Sequence, residues 1–258
     1  MGHPSLDLSG RVAVVVGGTS GLGRAIALGL AQAGADVVAC ARRKDAVEET
    51  AGEIEARGRR TLRLCADVAL RASLEAARDA VLSGLGRLDI LVNSAGRLKR
   101  TPTLDLPEEE WNATIETNLT GTLRSCQVFG RPMLEAGWGR VVNIASLTAH
   151  VAFFEVAAYT ASKAGVAGLT KSLALEWGPR GVNVNAISPG VFPTSLNRSV
   201  LEGTGRGREL KMRTPLGRFG EVDEVAGAAI FLASEAASFV NGEIIAVDGG
   251  FLASGVNQ

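Results

Sequence analysis

The sequence predicts a doubly wound α/β fold, in which helices cover both faces of a parallel β-sheet. Short apolar runs rich in valine and isoleucine recur along the 258 residues, and helix-length stretches alternate with them. The runs are almost continuously apolar, which is typical of strands that are buried on both faces. No linker, repeat or low-complexity stretch divides the chain, so we expect a single domain over residues 1–258.

Seven strands and six or more helices are predicted in order. The strands fall at 11–17, 36–42, 61–68, 88–96, 139–146, 182–190 and 242–250. The helices fall at 21–33, 45–56, 73–85, 107–134 (as one long helix or two), 159–176 and 222–232. Residues 191–215 break the alternation. Because long insertions in compact domains are usually functional, we predict a substrate loop or lid there.

Composition and charge exclude several classes of protein. Lys plus Arg and Asp plus Glu number 27 each, so the chain lacks the positive excess that a general nucleic-acid-binding surface needs. No apolar run reaches the length of a membrane-spanning helix, and no secretory signal is visible. The three cysteines form no CxxC pair and the two histidines are far apart, so we expect no metal site and a cytoplasmic location. Two counts are unusual, the 32 glycines and the single tyrosine.

A glycine-rich turn between the first strand and the first helix predicts a dinucleotide site. Gly17, Gly21 and Gly23 follow the strand with GxxxGxG spacing. Glycines at this place let the backbone approach a pyrophosphate and present the N–H groups of a helix N-terminus to it. A tight turn without a ligand is the alternative, and the strand–turn–helix–strand context counts against it.

The end of the second strand indicates which dinucleotide binds. An acidic residue there normally binds the ribose of NAD, but Ala41 stands at this position and Arg42 and Arg43 follow it. Guanidinium groups suit a 2′-phosphate, so the sequence favours NADP(H), with NAD(H) possible. The alternative is that both arginines are solvated loop charges.

The single tyrosine stands four residues before a lysine. Tyr159 and Lys163 therefore share one face of a predicted helix. A neighbouring ammonium would lower the pKa of a phenol from its ordinary value near 10, which suits proton transfer. A surface pair is the alternative. It is disfavoured because Ser146 follows the fifth strand, at the sheet edge where such folds bind ligands.

In combination, these motifs resemble the short-chain dehydrogenase/reductase family over nearly the whole chain. The matching segments, in order, are Gly17-GTSGLG, Asp67, Asn93-SAG, Asn118, Ser146, Tyr159-TASK and Pro189-GVFPT. Val16 stands where the family often has Thr, and Ser94 replaces the commoner Asn. Neither change removes a catalytic group. The resemblance implies a Rossmann-type domain that transfers a hydride between a nicotinamide cofactor and a carbonyl or secondary alcohol.

The resemblance also implies a role for each matched residue. Tyr159 would exchange a proton with the substrate oxygen, Lys163 would lower the tyrosine pKa and hold the nicotinamide ribose, and Ser146 would stabilise the reacting oxygen. Asn118 would position a water in a proton relay to Lys163. The implied cofactor contacts are Gly17, Thr19, Ser20, Gly21, Leu22, Gly23, Arg42, Arg43, Asp67, Val68, Asn93, Ala95, Gly96, Tyr159, Lys163, Pro189, Gly190, Phe192 and Thr194.

Basic segments on the predicted substrate side indicate an anionic substrate. The loop after the fourth strand contains Arg97, Lys99 and Arg100, and the 196–213 segment has five basic residues against two acidic ones. The five are Arg198, Arg206, Arg208, Lys211 and Arg213, and the two are Glu202 and Glu209. Solvated loop charges are an equally favoured alternative. Phe153 and Phe154 either form an apolar wall or serve packing and subunit contacts.

Within the family, the segments RLKR, RTP…GRFGEVDEV and DGGFLASG look most like gluconate 5-dehydrogenases and related sugar-acid or polyol oxidoreductases. A 3-oxoacyl-carrier-protein reductase is the alternative. A catalytically silent NADP-binding regulatory protein is an alternative of another class, which the presence of Tyr159, Lys163 and Ser146 disfavours. The resemblance further implies a homotetramer, with a dimer as the alternative, and small residues within 157–168 and 226–237 permit close packing.

Overall fold

The computed structural model describes residues 4–194 and 197–255, and the remainder of the predicted domain lies outside the described residues. Six parallel strands form one sheet in the order β2-β1-β3-β4-β5-β6. The strands are β1 (Val12–Val16), β2 (Asp36–Cys40), β3 (Ile90–Asn93), β4 (Gly139–Ile144), β5 (Val182–Pro189) and β6 (Ile244–Val247). The order reverses beside β1, because β2 and β3 pair with its two sides. Such a switch point opens a crevice at the carboxyl ends of the strands.

The described residues form nine α-helices. They are α1 (Gly21–Gln32), α2 (Lys44–Glu55), α3 (Arg71–Leu85), α4 (Glu108–Ile115), α5 (Gly121–Ala136), α6 (Ala157–Trp177), α7 (Arg198–Leu201), α8 (Gly205–Arg213) and α9 (Glu224–Ala233). One π-helical turn, Glu116–Thr120, joins α4 to α5. No helix in the described ranges is long and apolar enough to cross a membrane.

Apolar clusters cover the two faces of the sheet. Ile26 of α1 and Leu232 of α9 belong to one cluster, and both are almost completely buried. Leu74 of α3 and Phe129 of α5 belong to the other cluster, and both are 0% exposed. Every residue of β1 is buried, as expected for a strand with helices on both sides. The prediction of a doubly wound α/β fold is confirmed.

The prediction of seven strands is wrong, because the segment 61–68 does not form a regular strand. It lies along β2 at the sheet edge, but only the pair Ala41 and Cys65 forms a bridge. Backbone hydrogen bonds from Val37 N to Arg60 O and from Ala66 N to Ala41 O fasten its two ends. The segment therefore runs beside the end of β2 as an irregular edge with a single bridged pair.

The predicted lid segment 191–215 contains α7 and α8, and its residues 195 and 196 lie outside the described part of the chain. Of the small residues predicted to allow subunit packing, some contact other parts of the same chain, whereas Gly168 and Gly227 have nothing within 4 Å of a Cβ position. Gly29 of α1 meets Ala226 of α9, and Gly165 of α6 meets Leu119, so closely that neither glycine has room for a Cβ.

Candidate active site

Asn118 joins three segments at the carboxyl edge of the sheet. Its side chain is 0% exposed. The Oδ1 atom accepts from Arg97 N at 2.8 Å, and Nδ2 donates to Arg97 O and to Ser162 Oγ at 3.0 Å each. Ser162 in turn donates to Tyr159 O at 2.7 Å. The π-helical turn that carries Asn118 therefore fixes the loop after β3 against α6, and wide turns of this kind often occur at functional sites.

Ser146 follows β4 and begins the short 3₁₀ turn Leu147–Ala149. Its Oγ accepts from Thr148 N at 3.2 Å, and its carbonyl accepts from Ser188 Oγ at 3.0 Å. Ser188 is fully buried in β5, and it also contacts His150 Nε2 at 2.9 Å. Because the single hydroxyl proton of Ser188 goes to the Ser146 carbonyl, His150 Nε2 must be the donor to Ser188. This chain of hydrogen bonds fixes the backbone of Ser146 from both sides.

Tyr159 and Lys163 lie one turn apart in α6, with Lys163 Nζ 5.7 Å from the centre of the tyrosine ring. Burial raises the pKa of Tyr159 above its ordinary value, and a hydrogen bond from Ser146 opposes this effect. The lowering of the phenol pKa by Lys163 stays a prediction, and in the structure the Lys163 ammonium donates to Ile144 O at 2.6 Å. Burial also lowers the pKa of Lys163 to about 8.

The glycine turn packs directly on the segment that follows β3. Gly17 has φ +80°, and a Cβ on it would lie 2.5 Å from Ala95 N. Gly21 has φ +50° at the start of α1, and a Cβ there would lie 3.3 Å from Thr194 Cγ2. Ser20 precedes α1 without capping it by a side-chain hydrogen bond. The first N–H groups of α1 are therefore open to an anion, beside the segments 93–96 and 191–194.

The glycine turn and the catalytic side chains border a hollow at Gly96. A Cβ on Gly96 would lie 3.6 Å from Asn118 Oδ1 and 3.9 Å from Lys163 Nζ, so the absent side chain leaves a hollow bordered by both groups. At the end of β3, Asn93 Oδ1 is buried without a hydrogen-bond partner in the described structure. Backbone that can approach closely and an unsatisfied polar atom are features that suit a polar ligand.

Arg42 and Arg43 lie at the carboxyl end of β2, both exposed and with no ion pair to any described residue. Thr19 in the glycine turn is buried, and Leu22 in the first turn of α1 is half-buried. The structure thus leaves the two guanidinium groups available where an adenosine 2′-phosphate is expected.

Asp67 and Val68 form the next loop along this edge. Asp67 Oδ1 accepts from Ala69 N at 2.9 Å. The Val68 side chain packs on Gly121, and the Val68 carbonyl accepts from the Arg124 guanidinium. These contacts fasten the loop to the start of α5, at the side of the cleft that borders β2.

Three of the predicted cofactor residues make contacts that hold neighbouring parts of the fold together. Asn93 Nδ2 donates to Asn143 Oδ1 at 2.9 Å, which links β3 to β4. The ring of Phe192 is buried against Gly220, so any contact of Phe192 with a cofactor would come from its main chain. Gly190 has no room for a Cβ because the backbone of Asp248 lies beside it. Pro189, the last residue of β5, stands next to this contact.

Sequence reasoning missed three polar residues that build the site. Ser162 links Asn118 to α6, and Ser188 with His150 holds the Ser146 backbone. Ser162 had a readable signal, since it lies between Tyr159 and Lys163 in one motif. The contact between His150 and Ser188 had none, because the two residues are 38 positions apart. In the described structure no group of three or more His, Cys, Asp or Glu residues could hold a metal ion.

Comparison with known proteins gives consistent matches over the whole chain. A family model described as "Enoyl-(Acyl carrier protein) reductase" matches residues 16–252. The D-threitol dehydrogenase of Mycolicibacterium smegmatis is 47% identical over 245 residues, which cover 95% of this chain and 94% of that protein. The 2-dehydro-3-deoxy-D-gluconate 5-dehydrogenase of Bacillus subtilis is 41% identical over 252 residues, which cover 97% and 98%.

A solved structure gives the same result in three dimensions. It is a gluconate 5-dehydrogenase from Burkholderia cenocepacia J2315 in complex with NADP and tartrate. It matches with a TM-score of 0.93 at 37% identity, covering 97% of this chain and 98% of that one. The resemblance first identified from the motifs is confirmed. The chain belongs to the short-chain dehydrogenase/reductase family of oxidoreductases.

Proposed function

We propose that this protein is an NADP(H)-dependent oxidoreductase that interconverts a carbonyl and a secondary alcohol on a sugar acid or polyol. One observation carries the proposal. Tyr159, Lys163, Ser146 and Asn118 meet at the carboxyl edge of the sheet, directly beside the glycine turn. A proton donor thus lies next to a cleft suited to a dinucleotide, which is the arrangement that hydride-transfer chemistry requires.

The side chains divide the proton chemistry among them. When bound, NADP(H) donates or accepts the hydride. Tyr159 gives its proton to the substrate oxygen in reduction, and its raised pKa keeps it a neutral phenol at neutral pH. Ser146, hydrogen-bonded to Tyr159, orients that oxygen and stabilises its charge. Lys163 is an ammonium below about pH 8 and stabilises the phenolate that Tyr159 leaves behind.

The preference for NADP(H) rests on the second strand. Ala41 stands at its end, where an acidic residue would bind the ribose of NAD. Arg42 and Arg43 follow it as exposed guanidinium groups, and neither has an ionic partner in the described structure. The Burkholderia gluconate 5-dehydrogenase was solved with NADP, which supports the same preference here. The residues proposed to hold the pyrophosphate are Gly17, Thr19, Ser20, Gly21, Leu22 and Gly23.

The proposed substrate class follows the named relatives. Those quoted act on threitol, on gluconate and on 2-dehydro-3-deoxygluconate, which are polyhydroxylated molecules with and without a carboxylate. A 3-oxoacyl-carrier-protein reductase is the second candidate. The observation related to it is the description of the matching family model, which names an acyl-carrier-protein substrate but an enoyl group. The complete set of catalytic side chains argues against a silent regulatory protein.

A panel assay tests the proposal. Purified enzyme and NADPH are combined in turn with ketogluconates, with neutral ketoses and with an acetoacetyl thioester, and oxidation of NADPH is followed. We expect turnover of a ketogluconate or a ketose. Turnover of the thioester alone would replace the proposal with the carrier-protein reductase. Absence of turnover with every carbonyl compound would favour the regulatory protein.

Further parts of the proposal concern the whole chain. We propose one NAD(P)-binding domain over residues 1–258, with 191–215 as its substrate lid and a homotetramer as its assembly. A cytoplasmic location stays a prediction, supported by Cys40, Cys65 and Cys126, which form no disulfide. Light scattering tests the assembly, and a monomer mass at micromolar concentration would contradict it.

A further inference from the structure

We propose that Arg206, on the lid helix α8, binds the carboxylate of the substrate and so selects sugar acids over neutral polyols. This inference rests on the proposed function, because it concerns the substrate side of the same cleft. The basic residues predicted to border that cleft differ in whether a carboxylate of the same chain pairs with them.

Several of these basic residues lie next to carboxylates of the protein. Arg97 makes two hydrogen bonds of 2.8 Å to Glu110, and Lys99 lies 3.8 Å from the same carboxylate. Arg100 pairs with Glu155 at 2.6 Å. Arg198 and Arg213 pair with glutamates one helical turn away, Glu202 and Glu209. These four glutamates offset part of the positive charge of the loops, and Arg206, Arg208 and Lys211 have no ion pair in the described structure.

Arg206 has no ion pair or hydrogen bond to any described residue. Arg208 and Lys211 of the same helix also lack an ion pair, but both are exposed to solvent. It is half-buried, and burial lowers the pKa of its guanidinium. The positive charge of Arg100 acts in the same direction, while Glu155 and Glu209 oppose it. A half-buried guanidinium that lacks a counterion has lost part of its hydration without a replacement, so an incoming carboxylate would be strongly favoured.

Arg206 lies beside the loop that joins two of the catalytic residues. Its guanidinium carbon lies 6.0 Å from the centre of the Phe153 ring. Phe153 belongs to the loop that runs from Ser146 to Tyr159, which we infer to border the substrate. The edge of Phe153 meets Phe251 at a ring distance of 5.8 Å, which holds the aromatic surface in place. An apolar wall lowers the local dielectric constant and strengthens a nearby ion pair.

The loop that faces Arg206 is also fixed rigidly. Glu155 has a left-handed backbone with φ +65°, a conformation that residues other than glycine rarely adopt. Its carbonyl accepts from Thr101 N at 2.9 Å, and its carboxylate pairs with Arg100. Strained residues of this kind persist where the surrounding structure holds them and are common at ligand sites. Glu155 thereby neutralises Arg100, and Arg206 is the half-buried cation of helix α8 that has no carboxylate partner in the described structure.

The test compares two ligands that differ in charge, on enzyme saturated with NADP⁺. D-gluconate carries a carboxylate, and D-glucitol has the same number of carbons without one. Calorimetry measures the dissociation constant of each ligand for the wild type, for Arg206→Gln and for Arg208→Gln. Arg208 is exposed on the same helix and makes only a 3.4 Å contact with Gly203 O, so it provides a matched control.

We expect Arg206→Gln to weaken gluconate binding by at least about tenfold and to leave glucitol binding within about twofold. Arg206→Lys should restore part of the gluconate affinity, and Arg208→Gln should change neither ligand. Equal losses for both ligands, an unchanged gluconate affinity, or no gluconate binding by the wild type would each overturn the proposal. The proposed function has a separate readout. Wild-type turnover of a neutral ketose would support it even if the assignment of Arg206 fails.

Discussion

The replacement Gly17→Ala tests how tightly the glycine turn is packed. The new Cβ would lie 2.5 Å from Ala95 N, 2.7 Å from Ala95 Cα and 2.8 Å from Ser94 C. All three are main-chain atoms, so a side-chain rotation cannot relieve the contact. The φ of +80° adds strain, since an alanine in the left-handed region costs about 1–2 kcal/mol. Forcing an extra methyl group into packed structure costs about 1–3 kcal/mol.

Together these effects should lower the free energy of unfolding by about 2–5 kcal/mol. For a chain of this size, that corresponds to a fall of roughly 4–20 °C in melting temperature. The segment after β3 must also move away from the turn. We therefore expect NADPH to bind at least about tenfold more weakly, measured by the fluorescence of the bound cofactor.

The matched control is Gly52→Ala in α2. A Cβ on Gly52 would meet nothing within 4 Å, and alanine is favoured over glycine in a helix by about 0.5–1 kcal/mol. This variant should melt at or slightly above the wild-type temperature and bind NADPH normally. A Gly17→Ala protein that melts within about 2 °C of the wild type would refute the packing described for the turn.

Two further predictions concern the cofactor and the proton. Replacing Arg42 with Ala should raise the KM for NADPH by roughly tenfold and leave the KM for NADH nearly unchanged, because only the former carries a 2′-phosphate. Arg180→Ala, at an exposed site outside the cleft, serves as the control, and a parallel change for both cofactors would contradict the assignment. Since burial lowers the pKa of Lys163 to about 8, its ammonium is present below that pH and lost above it. The kcat/KM for carbonyl reduction should therefore be level at neutral pH and fall as the pH rises through about 8, and a profile flat to about pH 10 would be inconsistent with this role.

Local patterns made much of the fold and site predictable. The spacing of Tyr159 and Lys163 on one helix face, and the glycines between a strand and a helix, are features of short segments whose geometry depends little on distant residues. Ser146 was predicted for a similar reason, because it stands at the end of an apolar strand-length segment. The prediction of a strand at 61–68 was wrong because composition alone does not show which hydrogen bonds a segment makes. The segment is apolar like a strand, but it forms only one bridge, between Cys65 and Ala41.

The remaining features depend on contacts between distant parts of the chain. Arg100 and Glu155 pair across 55 positions, so the neutralisation of the basic loop could not be read from the local charge. The π-helical turn at Asn118 brings its side chain to Ser162, 44 positions away, and no helical periodicity encodes that turn. Burial, and not a neighbouring charge, dominates the pKa of Tyr159, and burial is a property of the folded chain.

The most direct test of the account is the activity of Tyr159→Phe, which keeps the ring and removes the hydroxyl proton. NADPH binding and NADPH-dependent reduction of the preferred carbonyl substrate are measured on the same preparation. Because Tyr159 is the only tyrosine, the loss of tyrosine absorption confirms the variant directly. We expect kcat to fall at least about a hundredfold while the affinity for NADPH is retained. A kcat within about tenfold of the wild-type value would contradict the assignment of Tyr159 as the proton donor.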